Sequence, residues 1–273
     1  LLGAVYFDVY ERSFLRGLRA AELMGLSADL SALASRCAAH DIATQGFLAT
    51  AIASPPEEWV KLVDEQSLRK AIRDVSRLRA ERGLILACPH IGPTTAVAEL
   101  LGSSDRQIRL RIVVGRAFVP TIEMSQRLAG WPLRDRYRLI EVPDPMALKY
   151  ARDGLRSGEV IVVFPDGRAG LLDNRRVVRS KHGVEIASGG LAGLHLLTGA
   201  PVAIAVIVRH LDGVWRMHVE PVLTRIELEA PRLSRKDRGQ LYAEAAQRIA
   251  DQVAAIILQY PEQARYWVMV PQV

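Results

Sequence analysis

LILACPHIGPTTAVAELLG, residues 84–102, reads as a short apolar strand, a Pro-His-Ile-Gly turn and the start of a helix. Pro93 suits the first helical turn, where the N–H it lacks would be unsatisfied anyway. Between strand and helix stands an ionisable imidazole, His90. Strand ends that open into helix starts are where open α/β sheets keep their binding sites, because the strand fixes position while the turn leaves the side chain accessible. His90 is therefore the first candidate functional residue.

Working outward, strand and helix signals alternate. Residues 67–82 form an amphipathic helix capped at Ser67 or Gln66, ahead of the strand at 84–88 and the helix at 93–101. IRLRIVV, YRLIEV, EVIVVF and PVAIAVIV read as further strands, separated by helices at 119–129, 145–155 and 188–198 and by a long basic loop. Such alternation predicts an α/β fold with a mostly parallel central sheet flanked by helices. HLDGVW, between PVAIAVIV and WRMHVEPV, reads as a hairpin and adds an antiparallel pair, and residues 235–258 close the chain as a helix. Upstream, residues 1–55 carry apolar positions at helical spacing and form a helical N-terminal segment. Pro55 and Pro56 break that pattern and mark the start of the α/β domain, 56–273, with WVKLV as a candidate strand just after them.

The 273 residues, 49% hydrophobic, are enough to bury a large core. Cys37 and Cys88 are too few for a disulfide framework and suit reduced thiols in the cytoplasm. The first apolar run meets Asp8 and Glu11 well before it could cross a bilayer, so no span is expected; an anchor ahead of Leu1 stays open. The net charge of +6 is concentrated: across residues 105–185 there are 16 Lys/Arg against 10 Asp/Glu, and elsewhere the two balance. A localised basic surface favours an anionic partner. Its densest part, NRRVVRSKH, carries Arg175, Arg176, Arg179 and Lys181 without an acid, as a docking patch or a solvated loop. It also lacks the aromatics of a nucleic-acid surface, so no nucleic acid is expected as partner.

A second strand, 160–164, ends in Pro165, Asp166, Gly167 and Arg168. If both strands lie in one parallel sheet their ends share an edge, and His90 faces Asp166 and Arg168 across one cleft. Asp-Gly is also a common turn pair, which is the plainer reading of that stretch.

Taken in order, ACPHIGPTT, VVFPDGRAG, SGGLAGLHLLTGAPVAIAVIV and the terminal QYPEQARYW resemble the landmarks of the bacterial lipid A late acyltransferases, the lauroyl and myristoyl transferases of the glycerolipid and lysophospholipid acyltransferase superfamily. The similarity runs from about Trp59 to the end. It implies transfer of an acyl group from an acyl-carrier-protein or coenzyme A thioester to an acceptor hydroxyl, with no bound cofactor, at the cytoplasmic face of a membrane whose anionic surface is a candidate partner. It also implies that His90 is the general base, a role an imidazole suits because it titrates near neutral pH.

The family motif places an Asp or Glu five positions after the His, where this chain has Thr95. Glu99, one helical turn further, shares a face with Thr95, and a relay from Glu99 through Thr95 to His90 is one way to replace the missing acid. The alternative is a solvent-facing Glu99. Asp166 is another candidate acid, though the resemblance puts it with Gly167 and Arg168 nearer substrate binding. Arg116 and Arg168 are candidates for phosphate recognition, since the guanidinium fork pairs phosphate oxygens bidentately.

No metal is expected, because Cys88 and His90 are too close in sequence for a familiar zinc pair and the other histidines are scattered. No Gly-x-Ser-x-Gly elbow supports a serine hydrolase, and SGG before residue 191 either brings helix and sheet close or offers amides to an anion. Two alternatives to acyl transfer stay open: a non-catalytic member of the fold that binds acyl chains or carrier protein, and a thioester hydrolase.

Overall fold

A computed structural model of the chain describes residues 30–54, 56–80, 82–116, 137–166, 177–224 and 235–265. The helix expected at 119–129, the first 29 residues, and Gly167, Arg168, Arg175 and Arg176 lie outside them.

The described chain begins with α1 (Leu30–Ala53), a 3-10 helix (Pro56–Leu62) and α2 (Glu65–Arg79), then β1 (Leu84–Ala87) and α3 (Thr95–Ser104). Next come β2 (Leu110–Gly115), β3 (Tyr137–Val142), α4 (Ala147–Arg156), β4 (Val160–Val163) and a small ribbon, β5 (Val178–Arg179) with β6 (Glu185–Ile186). α5 (Gly189–Thr198), β7 (Val202–Arg209), β8 (Trp215–Leu223), α6 (Arg235–Gln259) and a 3-10 turn (Pro261–Gln263) follow. Six strands make one sheet in the order β3-β2-β4-β1-β7-β8, parallel except for the β7–β8 pair. The architecture is α/β, a mostly parallel sheet flanked by helices.

β1 sits in the middle, paired with β4 on one side and β7 on the other, which is why its four residues are apolar and buried without alternation. Alternation reappears in what each residue touches. Ile85 and Ala87 join the core beneath α5 and α6, while Leu84, Leu86 and Cys88 join the core beneath α2 and α3. α1 feeds both cores, with Leu33 and Cys37 in the first and Phe47 and Ala51 in the second, and Phe47 meets Trp215 edge-on at 5.4 Å between ring centroids.

Two local expectations are corrected. WVKLV is not a strand: it falls mostly in the 3-10 helix, where Trp59 and Val63 are buried in the α2–α3 core, and a short apolar run does not distinguish the two. The cap of α2 is Asp64 rather than Ser67 or Gln66, and its carboxylate accepts the Ser67 N–H at 2.8 Å. The long basic loop also contains the β5–β6 ribbon, tied to α6 by the Lys181 N–H bonding Asp251 at 2.6 Å. No helix among the described residues is long and apolar enough to cross a membrane.

Candidate active site

The register of β1 and β4 decides the geometry of the site. Leu84 lies beside Val160 and Ala87 beside Val163, and the pairing continues past the strand ends with the Cys88 N–H bonding Val163 O at 2.8 Å. Carried three residues beyond each strand, it brings His90 to Asp166. Asp166 Oδ1 lies 2.9 Å from His90 Nδ1, and Oδ2 accepts the His90 main-chain N–H at 2.7 Å. One carboxylate thus fixes both the backbone and the ring of one residue.

Asp166 is fully buried, whereas the His90 side chain is 23% exposed. A carboxylate acts as acceptor only, so Nδ1 carries the proton in this pair and the second ring nitrogen, Nε2, is left unprotonated as a base. The Phe164 ring lies 5.2 Å from the imidazole at a tilt of 35° and packs against it.

The turn that carries His90 is held from several directions. Thr94 is buried and its hydroxyl lies within bonding distance of both Pro89 O, at 2.8 Å, and Ile91 O, at 3.0 Å. Gly92 has φ +58°, and a Cβ there would sit 2.2 Å from Ile207 O, so only glycine fits. From the C-terminal segment, the Arg265 N–H bonds His90 O at 2.7 Å, the Gly92 N–H bonds Gln263 O at 3.0 Å, and Ile91 bridges to Ala264. These holding residues escape a sequence reading; QYPEQARYW marks the place, but nothing in its pattern says that it lies against His90.

The sequence candidates separate as follows. His90 and Asp166 come together. Thr95 is exposed at the start of α3 and Glu99 is buried within it, not solvent-facing. Arg116, just past β2, is exposed and pairs with Glu141 at 3.3 Å, a contact worth little at a surface. Gly167 and Arg168 lie outside the described residues.

Cys88, two residues before His90, is no nucleophile. Burial pushes its thiol well above the ordinary range, and the charges of Asp166 and Glu99 push it further, so it stays protonated. Cys37, likewise free and buried, is pushed up to about 12, first by burial and then by Glu262. Among the described residues no group of three or more His, Cys, Asp or Glu could hold a metal ion.

An imidazole that is part-exposed and oriented by a buried carboxylate can take a proton from a hydroxyl or a water. No protein-family model matches the chain, and no curated protein matches it in sequence.

Proposed function

We propose that the chain is an acyltransferase similar to the lipid A late acyltransferases, moving an acyl group from an acyl-carrier-protein or coenzyme A thioester to an acceptor hydroxyl at a membrane surface. The observation that carries this reading is the Asp166 carboxylate on His90 Nδ1. It supplies the acid that the family motif has five positions after the His and this chain lacks.

In the proposed reaction the acceptor oxygen attacks the thioester carbonyl as His90 Nε2 takes its proton. A C–O bond forms and the carbonyl becomes a tetrahedral oxyanion. When the oxyanion collapses the C–S bond breaks, and the departing thiolate recovers the proton from the imidazolium. The products are an ester and a free thiol, with no covalent bond to the enzyme. Asp166 keeps the ring in the tautomer that leaves Nε2 basic and stabilises the imidazolium while it lasts.

The test is release of free thiol from lauroyl coenzyme A and from lauroyl acyl carrier protein, with and without hydroxyl acceptors including a lysophospholipid and a lipid A precursor. Release that depends on an acceptor is the expected result. Release at the same rate without one would assign a thioester hydrolase, and no release with any donor would assign a binding protein.

A further inference from the structure

We propose that Gln263 is a positioning residue for His90, acting through the C-terminal segment. The idea rests on the acyl-transfer reading for its kinetic consequence alone.

Gln263 is buried, and its side-chain amide behaves as a strand residue would. Its Oε1 accepts the Arg209 N–H at 2.8 Å and its Nε2–H donates to Arg209 O at 2.8 Å, so both backbone groups at the end of β7 are satisfied by one side chain. A carboxamide offers a donor and an acceptor side by side in this way, which an ionised carboxylate does not. The Gln263 main-chain oxygen meanwhile accepts the Gly92 N–H, and two residues on the Arg265 N–H holds the His90 carbonyl.

Gln263 therefore clips the end of β7 to the turn that follows β1, the neighbouring strand in the sheet. His90 is left with its N–H on Asp166 and its C=O on Arg265, held from opposite sides. The imidazole can then point at a reacting hydroxyl without searching, and a displacement on the order of 1 Å at such a centre costs up to about 10²-fold in rate.

Two substitutions grade the clip. Gln263→Glu keeps the acceptor for the Arg209 N–H and, once ionised at high pH, loses the donor, whereas Gln263→Met keeps the volume and loses both at any pH. Circular dichroism checks that each folds, and where the Met variant does not, the Glu variant carries the test. The first readout is independent of activity: the proton NMR resonance of the carboxylate-held His90 Nδ1–H, downfield of the amides and assigned by its loss in His90→Ala. It should shift or broaden in Gln263→Glu and more so in Gln263→Met. The second is thiol release from lauroyl coenzyme A in the presence of the hydroxyl acceptor that supports it, where kcat should fall roughly 10- to 100-fold with KM nearly unchanged.

A resonance unchanged in a folded Gln263→Met variant, or missing from the wild type, would overturn the proposal. If the resonance moves while wild-type protein releases no thiol with any donor and acceptor, the clip stands and the acyl-transfer reading fails. If thiol is released and Gln263→Met is silent in both readouts, the converse holds.

Discussion

Asp166 holds His90 twice, at the ring nitrogen Nδ1 and at the main-chain N–H, from a position fully buried past the end of β4. The two residues are 76 apart in sequence, the same offset that pairs Leu84 with Val160 and Ala87 with Val163. The sheet register itself therefore delivers the acid to the imidazole.

The first prediction concerns where the imidazole gets its support. With Nδ1 held by Asp166, Thr95→Val removes only an exposed hydroxyl, and both stability and thiol release should stay close to wild type, within about 0.5 kcal/mol. A relay from Glu99 through Thr95 requires a matching kcat loss in Thr95→Val and Glu99→Gln, not additive in the double variant. Steady-state kinetics on the three variants distinguish the two accounts.

The second concerns the turn. Gly92→Ala places a Cβ against Ile207 O at 2.2 Å in a left-handed backbone, and should lower stability by at least roughly 1–3 kcal/mol. Denaturant midpoints measure this. A midpoint equal to wild type would mean that the turn does not have this conformation.

Much of this fold is legible in the sequence. The apolar runs at 84–88 and 160–164 announce central strands, and Gly and Pro mark their ends. The site is legible only halfway: parallel strands put His90 and Asp166 on one edge, but their direct contact depends on which strands are neighbours and in what register. Local pattern does not encode this, because β1 and β4 are brought together by contacts far apart in the chain. A motif read along the helix points instead to Thr95 and Glu99. WVKLV misleads for a related reason, since five residues carry too few periods to separate a strand from a 3-10 turn.

A third prediction follows from His195, which is buried and whose Nδ1–H bonds Ala200 O at 2.7 Å. Burial holds its pKa below the ordinary 6.5, with the Ala200 bond opposing. The unfolded chain then binds a proton that the folded protein refuses, so this contribution is present above about pH 6.5 and is lost as the pH falls below it. Urea midpoints between pH 8 and pH 5.5 should decline in the wild type and decline less in His195→Gln. Equal slopes would remove His195 as a source.

The fourth concerns docking. Arg179 and Lys181 are exposed on the β5–β6 ribbon. If the ribbon receives an anionic carrier, Arg179→Ala with Lys181→Ala should raise KM for lauroyl acyl carrier protein and leave KM for lauroyl coenzyme A nearly unchanged. Added salt should reproduce the effect in wild type. A wild type insensitive to salt would make the ribbon a solvated loop.

The central claim is that His90 and Asp166 act as one unit in acyl transfer, and a double-mutant cycle on acceptor-dependent thiol release from lauroyl coenzyme A tests it most directly. His90→Ala and Asp166→Asn should each lower kcat by about 10²-fold or more. The double variant should be little slower than His90→Ala alone, because an orienting carboxylate has nothing to act on once the imidazole is gone. Losses that multiply in the double variant, or an Asp166→Asn protein that turns over as fast as wild type, would contradict the account.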